Sequence, residues 1–352
     1  MKKNLAYAAL IVVATSLNFS RTTAQEVYSQ EASPSFQQTD YEALTRRLDK
    51  LEAKQRMSGA TCQSNWYGLY ESVLVTPVFS HNSAYYGQSG TNLTGDASAV
   101  NVPFDYSMDY SPRIEAGYLA PTNELGWRAR YWHFNSNGRA GNHVDVFGTN
   151  PVDDAIAMSA GARIEDIDTF ASGFVLHSMN VDVGDLEVTK QYRGMVFGAG
   201  MRISEIRQRY QLLGVTDAGQ LLDSQMRNIG IGPTVSLQWN HSLLQSRWSL
   251  FSDVRGSALF GRHDIDAVSD DDLGLFQYSA NKSILGAEIQ AGLQYTGNRF
   301  FTRVGVEAQH WGNVGNAMNT ISHGEDGEGD NGILFDGNLG FIGLSWGIGY
   351  QF

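Results

Sequence analysis

Residues that could perform hydrolytic chemistry are few in this sequence. A serine-type hydrolase needs a histidine beside a serine and an acid. The best candidate set is His263 and Asp264 near Ser257, and residues of a solvated loop explain it equally well. We therefore expect no catalytic residues and no enzyme activity.

Metal binding is the second chemistry to consider, because acidic runs occur at 324–332 and at 270–272. The first run differs from an EF-hand, since the position that needs a bidentate glutamate is Gly337. Cys62 is the only cysteine, which excludes a cysteine-based metal site. Glycine-rich phosphate loops are absent as well. We expect neither a metal nor a cofactor.

Charged residues show a clearer pattern, because many of them lie two positions apart, as Arg113 and Glu115 or Asp253 and Arg255 do. In an extended strand, residues two apart share one face. Apolar residues such as Leu285 and Ile289 occupy the opposite parity to Glu288. The charged set on the shared faces is Arg113, Glu115, Arg128, Arg130, Asp185, Glu187, Arg202, Asp253, Arg255, Glu288, Arg303 and Glu307.

Ten segments carry this alternation, joined by connections that are alternately tight and long. The predicted strands are 66–79, 106–120, 125–137, 174–192, 194–211, 225–240, 247–263, 281–295, 299–313 and 334–352. The predicted long, polar loops are 80–105, 138–173, 212–224, 264–280 and 314–333. This parity predicts an all-β fold, a transmembrane antiparallel β-barrel of about ten strands. Twelve strands is the alternative, because residues 155–173 could add a hairpin.

The last predicted strand is the most informative, because its large apolar residues occupy every second position. A strand that faces lipid, with an aromatic girdle at the membrane boundary, requires this pattern. It also matches the C-terminal signal that directs barrels to the outer membrane of Gram-negative-type bacteria. The candidate assembly signal is Leu344, Trp346, Ile348, Tyr350 and Phe352. Outer-membrane lipid and the barrel assembly machinery are the expected partners.

A charge that faces lipid at the bilayer midplane costs about 2–4 kcal/mol, so the charged set is predicted to face inward. It holds six arginines and six acids, and a ten-stranded barrel is narrow enough for side chains to fill. Two interpretations stay open. The charges either line a narrow pore for small solutes, or form a salt-bridged interior that closes a structural or adhesive barrel whose loops bind external partners.

The residues before the barrel read as separate segments. Residues 1–24 have the charged start, short apolar stretch and small residues of a signal peptide. Residues 25–38 read as a flexible linker, and 39–57 as a short amphipathic, coiled-coil-like helix in the periplasm. The barrel is expected from 66 to 352. A formal net charge of −12 argues against a nucleic-acid partner. The helix could join barrels into homo-oligomers through Tyr41, Leu44, Leu48 and Leu51.

Several segments together resemble the pore-forming outer-membrane family typified by the Legionella major outer membrane protein. The pieces are 111–118 (SPRIEAGY), 126–132 (GWRARYW), 185–187 (DLE), 198–202 (GAGMR), 230–234 (GIGPT) and 305–311 (GVEAQHW). The resemblance runs from about Trp66 to Phe352. It implies a barrel that forms pores in the outer membrane, and it names no solute.

Overall fold

The computed structural model describes residues 45, 47, 65–91, 97–120, 124–140, 154–159, 162–164, 173–192, 194–214, 221–243, 246–269, 274–317 and 337–352. The chain divides into two compact units, Met1–Thr61 and Cys62–Phe352. In the first unit Thr45 and Arg47 are described, and both are helical. The predicted signal peptide, the linker and the rest of the 39–57 helix lie outside the described residues, so the oligomerisation seam stays a prediction.

The second unit consists of β-strands in its described residues. They are β1 (Asn65–Phe79), β2 (Tyr85–Thr91), β3 (Ala97–Val102), β4 (Phe104–Asp105), β5 (Asp109–Leu119), β6 (Leu125–Ala140), β7 (Asp154–Ser159), β8 (Ala162–Ile164), β9 (Gly173–Tyr192), β10 (Met195–Gly214), β11 (Leu221–Ser242), β12 (Trp248–Ser269), β13 (Gly274–Thr296), β14 (Phe300–Gly312) and β15 (Leu339–Gln351).

Ten of the described strands close into an antiparallel barrel. Around the barrel they run β6-β5-β1-β15-β14-β13-β12-β11-β10-β9, and β9 pairs back to β6. The two-residue strand β4 extends the main sheet at the end of β6. The predicted ten-strand barrel is therefore confirmed. The alternative of twelve is wrong, because the hairpin of β7 and β8 joins β2 and β3 in a separate four-stranded sheet.

The barrel strands extend to different heights at the end where the long loops lie. β9 to β13 are 20–23 residues long, whereas β14, β15 and β5 are 11–13 residues long. A membrane strand needs about 9–11 residues, so the tall wall of β9–β13 extends well past the bilayer.

Four predicted loops are corrected here. The predicted loop 80–105 contains β2, β3 and β4, and 138–173 contains β7 and β8. Most of 264–280 is strand, and 212–224 contains the ends of β10 and β11. Outward polar residues such as Asp264, Asp266 and Ser279 give the segment 264–280 the composition of a loop.

The outward faces form an apolar belt. Ile203 on β10, Ile231 on β11, Phe260 on β12 and Leu344 on β15 are each more than half exposed. Aromatic residues ring the belt at the end where the short turns lie: Trp66, Trp127, Tyr192, Trp239, Trp248, Phe300, Tyr350 and Phe352. Lipid contact explains both features, since water would penalise so much exposed apolar surface.

A closed antiparallel barrel with an apolar belt and an aromatic girdle is the form of bacterial outer-membrane proteins. The protein is an outer-membrane barrel of this kind. Short turns in such barrels face the periplasm and longer connections face outside, so the tall wall is extracellular. Among the described residues, no helix is both long and apolar enough to cross a bilayer.

Candidate functional site in the barrel interior

The inward faces bring the charged residues together at the level of the apolar belt. All twelve charged residues predicted to face inward do so, and each is at most about 9% exposed. A register shift of one residue would have turned them all to lipid. We call these twelve residues, together with Glu71, the charge layer.

Asp185 on β9 is the centre of the charge layer. Its carboxylate accepts hydrogen bonds from Nε of Arg202 at 2.6 Å, Nε of Arg130 at 3.0 Å and Nη1 of Arg255 at 3.0 Å. The three arginines come from β10, β6 and β12. The carboxylate of Asp185 therefore joins four strands. Its single negative charge does not balance three guanidinium groups, so a second acid is needed.

Glu288 on β13 provides the second acid for the same arginines. It contacts Nη2 of Arg130 at 2.5 Å and Nη1 of Arg202 at 2.8 Å. In the ring of ten strands, β6 and β13 are five places apart. The contact between Arg130 and Glu288 therefore crosses the full diameter of the barrel.

A second group surrounds Arg113 on β5. Its two Nη atoms bind Glu307 on β14 at 2.8 and 2.5 Å, a bidentate pairing that is stronger than a single hydrogen bond. Glu71 on β1 receives Arg303 at 2.8 Å, Gln290 at 2.9 Å and Arg113 at 3.3 Å. Arg113 and Glu71 are directly opposite each other on neighbouring strands, whereas the contacts of Arg113 with Glu307 and of Glu71 with Gln290 span three places in the ring of strands.

A third group lies around Glu187 and Glu115. Arg128 binds Glu187 in a short contact and lies 3.9 Å from Glu115. Nε of Arg255 lies 3.1 Å from Glu187, and the hydroxyl of Tyr67 donates to Glu115 at 2.8 Å. Arg255 belongs to both the first and the third group, so these two groups form one continuous network, and the second group is held by its own contacts.

Glu71 was not among the predicted pore-lining residues, although it accepts hydrogen bonds from three side chains. The signal was present in the sequence, because Glu71 alternates with apolar residues in the predicted first strand. The residues two positions away, Leu69 and Val73, are apolar, so this face of the strand also resembles a lipid-facing one. With Glu71 the charge layer has seven acids and six arginines.

Above the charge layer, towards the outside, apolar and aromatic side chains fill the barrel. We call this the apolar plug; its larger members are Val73, Phe79, Phe104, Trp132, Phe134, Met179, Tyr210, Trp311 and Phe341. The rings of Trp132 and Phe134 lie 5.3 and 5.0 Å from that of Phe341. Sequence alternation did not reveal this part, since inward-facing apolar residues look like core residues of any sheet.

Two connections at the loop end fold into the barrel mouth and are held there by inward polar side chains. Nδ2 of Asn228 donates to the carbonyl of Val314 at 2.8 Å. Gln208 accepts from the backbone N–H of Ala317 at 3.2 Å, and the hydroxyl of Tyr210 donates to the carbonyl of Ala84 at 2.6 Å. These contacts cap the apolar plug.

The candidate hydrolase residues do not meet. His263 faces inward and bonds Asn228 at 2.5 Å, whereas Asp264 faces outward and bonds Arg262 at 2.6 Å. Ser257 lies six residues along the strand from His263 and contacts Arg202. Within the described part of the chain, no group of three or more His, Cys, Asp or Glu is placed to hold a metal ion. The acidic runs 270–272 and 324–332 lie outside the described residues.

No protein-family model matches the chain, and no curated protein matches it. Solved structures give distant similarities. The outer-membrane protease OmpT of Escherichia coli is 10% identical over 83% of this chain and 98% of its own, with a TM-score of 0.43. The P. putida toluene transporter TodX is 9% identical over 82% and 90%, with a TM-score of 0.32.

A major outer membrane protein from Thermus thermophilus is 10% identical over 82% of this chain and 100% of its own, with a TM-score of 0.32. Similarities of this size do not tell what this chain does. The resemblance to the Legionella family stays a prediction.

Proposed function

We propose that this outer-membrane barrel is closed to solutes and serves as a rigid anchor for the wall and loops that stand outside the cell. The contact between Arg130 and Glu288 carries the proposal. The two residues lie on diametrically opposite strands, and their side chains meet at 2.5 Å. An open channel would have to pass through the space that these side chains occupy.

The apolar plug supports the same conclusion from a second level of the barrel. Trp132, Phe134 and Trp311 are at most 1% exposed. A solute that passed the charge layer would next have to displace these packed rings. Hydrophobic constrictions exclude ions because water does not wet them. The barrel is thus closed by two layers of different chemistry.

The protein is not an enzyme in this proposal. His263 and Asp264 point to opposite faces of β12, so they cannot share one substrate. The reactions of distantly similar barrels do not alter this, because so low a sequence identity carries no residue role across to this chain.

Passive diffusion of small solutes is the second candidate function, and one observation favours it. A cavity of about 100 Å³ opens at the turn end of the barrel, lined among others by Glu115, Asp253 and Arg303. Within the described structure, Oδ1 of Asp253 and Nη2 of Arg255 are buried without a hydrogen-bond partner. Water could hydrate these atoms, and a wet charge layer would be the start of a conducting path.

Liposome swelling separates the two functions. Purified protein is reconstituted into liposomes that contain an impermeant polymer, and swelling is followed after transfer into isotonic solutions of arabinose or glycine. A closed barrel gives the rate of protein-free liposomes. Swelling that increases with the amount of protein would overturn the proposal in favour of the pore.

A further inference from the structure

A polar band follows the apolar belt on the outer surface of the tall wall. On β10 the belt ends at Ile203 and the next outward residue is Glu205; on β12 it ends at Phe260 and the next is Arg262. Because a strand rises about 3.3 Å per residue, this change takes place within about 7 Å. The band therefore lies where the outer-leaflet head groups begin.

Four arginines of this band lie on three adjacent strands: Arg207, Arg209, Arg227 and Arg262. Each is paired with an acid, namely Glu205 for Arg207 and Arg227, Asp223 for Arg209 and Asp264 for Arg262. Between 45% and 66% of each arginine side chain is exposed. All four line one surface depression of about 750 Å³. We call them the guanidinium cluster.

Arg207 and Arg227 repel each other unless an anion lies between them. They are directly opposite each other on β10 and β11, and like charges in that position destabilise a sheet. One oxygen of Glu205 lies 2.7 Å from Nη2 of Arg207 and 2.6 Å from Nε of Arg227. A guanidinium has five N–H donors, so a further anion can bind without displacing Glu205.

We propose that the guanidinium cluster binds the phosphate groups of lipopolysaccharide in the outer leaflet. Arginine binds phosphate in bidentate fashion, and the cluster lies at the height where the lipid A phosphates meet the hydrocarbon. Asp264 and Asp266 line the same depression. Asp264 accepts a hydrogen bond from Nε of Arg262 at 2.6 Å, so it offsets part of the positive charge of the cluster.

Native mass spectrometry of the full-length protein in detergent micelles tests the proposal, with diphosphorylated lipid A as the probe. The parent should bind diphosphorylated lipid A at least about tenfold more tightly than dephosphorylated lipid A, the loss expected when charge-assisted hydrogen bonds are removed. Equal binding of the two lipids overturns the proposal without any variant being made. Equal binding of phosphatidylglycerol overturns it too, because the surface would then attract any anionic lipid.

A charge-matched pair of variants locates the site. Arg207→Gln with Arg227→Gln should weaken lipid A binding about tenfold or more. Arg247→Gln with Arg299→Gln removes the same charge at the turn end of the barrel and should bind as the parent does. A heat-modifiability gel shows that both variants are folded. If the two double variants lose affinity equally, the guanidinium cluster is not the binding site.

Discussion

In the charge layer, single residues rarely have a single partner. Asp185 receives three arginines and Glu71 receives two arginines and a glutamine. Burying a charge costs several kcal/mol unless it is paired and hydrogen-bonded. Shared partners lower the free-energy cost of burying each charged side chain. They also make the stability of each ion pair depend on the neighbouring pairs.

Loss of one partner across the diameter should therefore destabilise the barrel. We expect Arg130→Ala to lower the free energy of unfolding by about 3 kcal/mol, because it leaves buried carboxylates with fewer partners. The effect should stay near this value, since Arg202 still contacts both Asp185 and Glu288. Urea unfolding in lipid vesicles measures it. Arg209→Ala removes an exposed ion pair and should cost at most about 1 kcal/mol; equal costs would mean that the charge layer is solvated.

Acidification should loosen the mouth of the barrel. Burial lowers the pKa of His177 to about 4 and that of His263 to about 4, against about 6.5 in an unfolded chain. Between these values the unfolded state binds more protons, so stability falls as the pH drops from about 6.5 to about 4. Limited proteolysis at about pH 7 and about pH 5 measures the opening of this end. His177→Gln should show a smaller difference between the two pH values; a difference unchanged in that variant would rule out His177 as a cause.

At the scale of the strands, the outward face changes its requirement along its length. The apolar belt requires apolar residues, whereas the polar band accepts charged ones. Ile231→Arg places a charge in the apolar belt of β11 and should cost about 2–4 kcal/mol. Gln225→Arg places the same residue on the same face of the same strand, but in the polar band, and should cost little. The folded fraction in vesicles compares them. Equal yields would mean that the belt does not lie in the hydrocarbon.

The seam between β1 and β15 closes the barrel and depends on one glycine. Gly343 is opposite Val75, and a Cβ at that position would overlap the carbonyl oxygen of Leu74. Gly343→Ala should therefore slow insertion or reduce its yield. Gly68 lies on the neighbouring strand with open space where a Cβ would be, so Gly68→Ala is the matched control. Equal folding of both variants would show that the seam tolerates a wider spacing.

The strands and their faces were predictable from the sequence, because a period of two carries both pieces of information. The partners inside the lumen were not. The contacts of Arg130 with both Asp185 and Glu288 depend on the stagger between strands, which no single strand encodes. The height of the tall wall was also missed, since residues such as Asp266 and Ser279 resemble a loop once the strand leaves the membrane.

For the whole molecule, the proposed closure rests on two layers in series inside one narrow barrel. The charge layer occupies the level of the membrane, and the apolar plug occupies the extracellular half. The two layers oppose solutes in different ways. The charge layer fills the lumen with paired charged side chains, whereas the apolar plug excludes water. The sequence and the family resemblance favoured a narrow pore, with a closed barrel as the alternative, and the contacts across the lumen support the alternative.

Planar-bilayer conductance tests the closed lumen most directly. Inserted parent protein should give no current steps in concentrated KCl over a range of voltages. The triple variant Arg130→Ala, Glu288→Ala and Trp132→Ala removes side chains from both layers and should give discrete steps. Such steps would show that the absence of current from the parent is not caused by a failure to insert. Discrete, reproducible steps from the parent would contradict a closed barrel and establish the narrow pore.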